Sequence, residues 1–193
     1  MDRYDVVVVG VGGMGRAALY HLARRGKRVL GLERFDVPND MGSSHGVTRI
    51  IRLAYFEHSD YVPLLRRAYE LWHELEAEAG EQLLHTTGIV EGGERILEGA
   101  LRSCADHDLR HEVLDGAELG RRFPAYQLQP EIDVVYQPDG GFVVPERCIV
   151  AHVQGALSRG ATLRARERVL GWTETGSVVR VTTDRAEIGR AHV

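Results

Sequence analysis

Asp5-Val6-Val7-Val8-Val9-Gly10-Val11-Gly12-Gly13-Met14-Gly15 decides the fold of this chain. Four consecutive valines are too few to cross a membrane, and β-branched residues suit a strand buried on both faces. The glycines that follow have separate tasks. Gly10 permits a tight turn, Gly12 lets a pyrophosphate approach the backbone, and Gly15 lets the next helix pack closely on the strand. The spacing predicts a helix over residues 14–25, with Gly26 as its stop signal. Its first amides and partial positive charge would point at phosphates.

A lone G-x-G-x-x-G is weak evidence, because glycine-rich turns have many uses. Here the strand before it, the helix after it and a second apolar run, Val29-Leu30-Gly31-Leu32, coincide with a terminal carboxylate, Glu33. An acid at about that distance accepts hydrogen bonds from a ribose. It also argues against a ribose 2′-phosphate, since two anions would meet. The expectation is an adenine dinucleotide, with NAD and FAD both open at this point.

Residues 34–49 hold Pro38, Asn39, Asp40, Gly42, Ser43, Ser44, His45 and Gly46, which reads as irregular structure. It falls where the ligand crevice of such a sheet lies. Thr48-Arg49-Ile50-Ile51-Arg52 follows. On a strand the two arginines would face opposite sides, on a helical turn they would share one, and the residues alone leave both open. Alone, His45 would read as an exposed loop residue and the arginines as surface cations.

Gly42-Ser43-Ser44-His45-Gly46-Val47-Thr48-Arg49-Ile50-Ile51-Arg52, with Ala54-Tyr55, Tyr61-Val62-Pro63-Leu64 and Leu71-Trp72, resembles the monomeric sarcosine oxidase family, which includes N-methyltryptophan oxidase. The resemblance runs to about residue 186 through Gly88-Ile89-Val90, Pro138-Asp139-Gly140-Gly141 and Pro145-Glu146. It implies an FAD-dependent oxidase of secondary amino acids, N-methyl or cyclic, that forms an imine and passes electrons to O2 to give H2O2. It implies that Gly10, Gly12, Gly13, Met14, Gly15, Glu33 and Arg34 hold the adenosine and pyrophosphate, with the backbone near Val169 passing the adenine. Ser43 and Thr48 would lie along the cofactor, His45 and Arg49 beside the isoalloxazine, and Arg52 at the substrate carboxylate. Ser44 stands where close relatives often have a second histidine, and Val47 where they often have aspartate.

The chemistry wants such groups. Reduced flavin is anionic, so a fixed guanidinium beside it stabilises the product and the transition state leading to it. An arginine fork orients a carboxylate with two parallel hydrogen bonds. Histidine titrates near neutrality and can tune the amine's protonation. Two other readings are a dehydrogenase using another electron acceptor, and a dinucleotide-binding module without redox chemistry.

The rest of the sequence narrows the setting. Net charge is −4 across 193 residues with no basic run, which argues against nucleic acid. No apolar span reaches membrane length and no export signal opens the chain, so cytoplasm is the default. Cys104 and Cys148 make no C-x-x-C pair and are expected to pack rather than react. The nine histidines show no metal spacing, so no metal is expected. A small-molecule substrate and a monomeric parent are the expected partners and state.

Periodicity predicts helices over 61–79, 94–107, 115–122 and 145–159, the first with a core stripe of Leu64, Leu65, Ala68, Leu71, Trp72, Leu75 and Ala79. Short strands are predicted over 87–91, 134–136, 142–144, 162–166, 169–173 and 178–182. The expected class is α/β: a discontinuous Rossmann-like FAD-binding domain, 1–83 and 145–186, interrupted over 84–144 by the start of an α+β substrate domain. The C-terminal half of the family pattern is missing, with its flavin-linking cysteine, so a chain of this length is expected to lack activity. Glu187-Ile188-Gly189-Arg190-Ala191-His192-Val193 departs from the apolar strand that relatives carry there, and one codon choice for it resembles a sequencing-adapter sequence. It is expected to be a non-native tail.

Overall fold

The computed structural model describes residues 3–176 and 178–192. From the N-terminus come β1 (Val6–Val9), α1 (Gly15–Arg24), β2 (Val29–Leu32) and β3 (Arg49–Ile51). A 3-10 turn, Ser59–Tyr61, leads into α2 (Val62–Ala79), then β4 (Leu84–Thr86), β5 (Ile89–Gly92), α3 (Glu94–His107), β6 (Glu112–Leu114) and α4 (Gly116–Arg122). The chain continues with β7 (Val134–Gln137), β8 (Gly141–Val143), α5 (Pro145–Leu157) and β9 (Thr162–Arg164). It ends in β10 (Val169–Thr175), β11 (Val178–Thr183) and β12 (Glu187–His192). Two compact units result: one from the chain up to Arg49 and from Val144 onward, the other from Ile50–Val143. The sequence-derived boundary at 144/145 lies one residue from a division, whereas residues 50–83 pack with the second unit.

In the first unit β1, β2 and β9 form a parallel sheet in the order β1-β2-β9, with Val6 opposite Val29 and Leu30 opposite Thr162. All four residues of β2 are buried, as a central parallel strand requires, and β1 ends the strand order. Helix α1 links β1 to β2 and packs on α5, where the buried rings of Tyr20 and His152 meet edge-on at 5.2 Å. Beneath the sheet lies an antiparallel meander, β10-β11-β12, and Leu30, Leu32, Val181 and Ile188 form the shared core with Val169 and Val179. The sequence assigns no element to 187–193. The structure pairs Glu187–His192 with β11 as a third meander strand and buries Ile188; Val193 lies outside the described residues. The physical reason is that main-chain ladders ask little of sequence, and one apolar side chain at the right register anchors the pairing.

The second unit has two three-stranded sheets, β3-β8-β4 and β5-β7-β6, with α2, α3 and α4. Its core gathers Ala54, Val62, Ala100, Cys104, Leu109 and Val135, so Cys104 packs as the sequence predicts. The α2 stripe is covered less than expected. Leu75 is buried, but Leu64 is 67% exposed, because α2 packs mainly on β4 and the 3-10 turn, which are too short to cover its apolar face.

At its far end α2 is tied to β4 through Glu76, whose Oε1 accepts the amides of Leu83 and Leu84, both at 2.7 Å. Burial alone would raise this carboxyl, but the donors from Leu84, His73 and Leu83 outweigh it and hold it below 4.5. A depressed folded value contributes stability above the unfolded value, and that contribution is lost as pH falls through the folded one. In Glu76→Gln the amide oxygen can still accept both main-chain bonds, without titrating. Wild type should therefore exceed the variant by about 1 kcal/mol at pH 6, with the gap closing on acidification below about pH 4.5. Urea unfolding at a series of pH values checks this, and a gap that widens in acid would refute it.

Candidate functional site

The glycine turn folds as its residues demand. Gly10 has φ 86°, in the region where side chains are strained, and its amide donates to Leu32 O at 2.8 Å across the ends of β1 and β2. A Cβ on Gly15 would fall inside the main-chain carbonyl of Gly10, whereas a Cβ on Gly12 would meet nothing within 4 Å. Gly15 therefore serves close packing and Gly12 presents bare backbone to open space. A Cβ on Gly13 would press on the Ser44 hydroxyl. Met14 precedes α1 without a side-chain cap and is 88% exposed, while the Arg16 amide in the first turn donates back to Gly12 O at 3.1 Å.

Glu33 completes the cradle. One carboxylate oxygen, Oε2, accepts Val11 N–H at 2.8 Å, and Oε1 accepts Phe35 N–H at 3.1 Å. The group is buried, with 7% exposure for the residue. A carboxylate offers about four lone-pair sites, so two amides orient it and leave acceptor capacity for a ribose hydroxyl. This donor and acceptor set fits the adenosine and pyrophosphate of a dinucleotide. Arg34 lies with its Cζ 4.5 Å from the Phe35 ring centroid. Val169 pairs with Thr183 and packs into the sheet–meander core.

Buried Arg16, which the sequence reading missed, braces the cradle from behind. Its Nε donates to Gly13 O and its Nη1 to Pro145 O, each at 3.1 Å, tying the turn to the start of α5. Burial pulls its guanidinium below the usual value.

The loop over 42–48 stands over an open cleft of about 690 Å³, lined by Arg34, Phe35, Asp36, His45, Glu146 and Arg166 among others. Arg49 draws this loop together by donating from Nη2 to Ser43 O at 2.6 Å and His45 O at 2.9 Å. From the other side Glu146, in the first turn of α5, meets His45 Nδ1 at 3.1 Å and accepts Gly46 N–H at 3.3 Å through the same oxygen. The histidine's hydrogen bond, then the Gly46 amide, hold the Glu146 carboxyl below its ordinary value. Ser43 and Thr48 are exposed on this loop, as is Arg49 at the start of β3. Within one unit, then, the predicted residues from Gly10 to Arg49 and Val169 share a fold. Glu146 was legible only as part of a motif; its place one residue after a helix-opening proline was the signal for its position, and nothing signalled its partner.

Arg52 belongs to the second unit, just beyond β3, and the choice left open at 49–52 resolves as a strand over Arg49–Ile51. Its guanidinium carbon lies 5.0 Å from the ring centroids of both Tyr55 and Phe56. Nη2 approaches Glu57 Oε2 at 3.3 Å. Nε is buried 3.1 Å from Glu91 Oε1 but off the line of a hydrogen bond, so that contact is an ion pair. Glu91 is buried on β5, and its other oxygen accepts Gln137 Nε2 at 2.7 Å. Burial raises the Glu91 carboxyl, opposed by Arg52. A charged residue after the apolar Ile89-Val90 was the available signal for this pair.

Comparison with known proteins follows the same lines. The profile of the FAD dependent oxidoreductase family matches residues 5–193. A monomeric sarcosine oxidase of Streptomyces avermitilis is 44% identical over 183 residues, covering 93% of this chain and 48% of its own length. An N-methyl-L-tryptophan oxidase of Yersinia pestis is 32% identical over 160 residues, covering 81% and 43%. The solved structure of NikD in its open form, an unusual amino acid oxidase essential for nikkomycin biosynthesis, superposes with a TM-score of 0.88 at 33% identity over 98% of this chain and 50% of that one. The chain spans about half the length of the curated relatives it matches.

Proposed function

The chain belongs to the FAD dependent oxidoreductase family, and from that premise we propose that the protein carrying it is an FAD-dependent oxidase of secondary amino acids. The observation that carries this reading is the bidentate, buried Glu33 beside the bare backbone of Gly12, set in a chain 44% identical to a sarcosine oxidase. Glu33 takes the ribose hydroxyls and the α1 amides take the pyrophosphate. The body formed by the chain up to Arg49 and from Val144 onward is the cofactor-holding domain.

Bound flavin supplies the two-electron oxidation of the amine carbon to an imine and, by returning those electrons to O2, yields H2O2. Everything else falls to side chains. Arg49, held by two loop carbonyls, would be a fixed cation beside the flavin ring, and His45, held through Nδ1 by Glu146, would keep Nε2 for proton exchange with the amine. Arg52 takes the substrate carboxylate. Water then hydrolyses the imine; for an N-methyl substrate the products are formaldehyde and the primary amino acid. The protein works as a cytoplasmic monomer on a small molecule, without metal or nucleic acid.

The test uses the full-length polypeptide carrying this segment. Purified protein should show a flavin absorbance band and release peroxide with sarcosine, N-methyltryptophan or pipecolate. A colourless protein that stays colourless after incubation with FAD refutes the proposal. A yellow one that reduces a dye but not O2 replaces the oxidase with a dehydrogenase.

A further inference from the structure

We propose that Glu91, locked by Gln137, is the positioning residue for Arg52, turning one edge of its guanidinium inward so that the other is presented to a carboxylate. This rests on the reading of Arg52 as the residue that meets the substrate's carboxylate.

The argument begins with the sheet. On β5 and β7 Ile89 pairs with Gln137 and Glu91 with Val135, so Glu91 and Gln137 are diagonal neighbours on one face. Gln137 is 1% exposed and its Oε1 accepts Ala54 N–H at 2.8 Å. That bond settles which end of the amide faces which way, because flipping it would set donor against donor. Nε2 must then face Glu91 Oε2, which leaves Glu91 Oε1 for Arg52. The main chain of residue 54 thus fixes an amide, the amide fixes a carboxylate, and the carboxylate fixes the guanidinium two residues upstream.

The two acids around Arg52 differ in kind. Glu91 has a side chain 6% exposed and cannot be exchanged for water without opening the core, whereas that of Glu57 is 42% exposed and meets Nη2 only at 3.3 Å. A ligand carboxylate can replace Glu57 and not Glu91. A lone buried acid is costly unless compensated, so Glu91 is kept by Arg52 as firmly as it keeps it. The flanking Tyr55 and Phe56 rings limit the remaining freedom of the guanidinium.

The experiment is kinetic and uses the full-length polypeptide. In Glu91→Gln the amide at position 91 faces the Nε2 of Gln137, the lock fails, and KM for an N-methyl amino acid should rise about tenfold with kcat within about threefold. KM for the matching N-methylamine without a carboxylate should not move. The double variant Glu91→Gln with Gln137→Glu restores the two hydrogen bonds that run from Ala54 to position 91 and keeps one negative charge in the cluster, moved to position 137. With the oxygen of the new amide at position 91 facing Arg52, it should return KM to within about threefold of wild type. Equal effects on both substrates, or no effect on either, overturn the proposal. A wild type that turns over no amine refutes the functional reading instead, and the positioning is then judged by hydrogen exchange of the Arg52 Nε proton. That proton should exchange slowly in wild type and the double variant and at least about tenfold faster in Glu91→Gln; equal rates overturn it.

Discussion

Gly12→Ala should strip the protein of flavin while leaving its unfolding midpoint within about 2 °C of wild type; Gly15→Ala should cost it both. The two glycines are three residues apart and differ in what a methyl group would meet. At position 12 there is open space, so the fold has no reason to notice. A bound pyrophosphate would notice, because its oxygens need that space to reach the backbone donors. Bonds from amides to a charged group contribute about 1.5–3 kcal/mol each, so losing one or two weakens binding about a hundredfold. At position 15 the methyl would overlap the Gly10 carbonyl, which is main chain and cannot rotate aside, with Val8 Cγ1 at 3.2 Å closing the other side. Helix α1 must then lift from β1, an overpacking cost of about 3 kcal/mol or more, or a fall of roughly 6–12 °C in midpoint for a chain of this size. Thermal unfolding and the absorbance of gel-filtered protein separate the cases. Stoichiometric flavin in Gly12→Ala would end the assignment of this turn.

The second large effect belongs to Glu33. Glu33→Ala removes an acceptor from two amides at once and leaves Val11 N–H buried without a partner. The expected loss is about 2–4 kcal/mol, two charge-assisted bonds offset by partial access of water. Glu33→Gln should lose less, about 1–2 kcal/mol, since its one oxygen can serve one amide while its NH2 confronts the other. Both should lose flavin. Urea unfolding with an unchanged slope would attribute the loss to the native state, and an alanine variant as stable as wild type would show that the carboxylate is not the keystone its geometry implies.

Local chemistry made much of this fold readable. The helix predicted over 94–107 is α3 itself, and the proline after Val144 opens α5 where proline belongs at a first turn. The strands that escaped notice include β4 and β6, short segments whose partners β8 and β7 lie well downstream, and β12, which closes a hairpin with β11 but carries a single buried apolar anchor, Ile188, among its described side chains. The same division holds for the site. Glu33 could be found because its role depends on distance along the chain from the glycine turn. Glu146 and Glu91 could not be given roles, because each acts on a residue that only folding brings near: His45 lies 101 positions from one, and Gln137 46 from the other. The α2 stripe shows the reverse error, since periodicity reports which face is apolar and not how much of it a neighbour covers.

The entry and exit strands of the insert, β3 and β8, are hydrogen-bonded neighbours. Ile50–Val143 therefore leaves its host about where it departed. Before it folds, joining β2 to β9 means closing a long floppy circuit, whose entropic penalty grows with the logarithm of contour length. Once it has folded, the same two ends are tethered as if by a brief turn. Assembly of the unit that holds β1, β2 and β9 should thus depend on a module that contributes no strand to their ladder, and loosening that module should slow ladder formation at residues it does not contain.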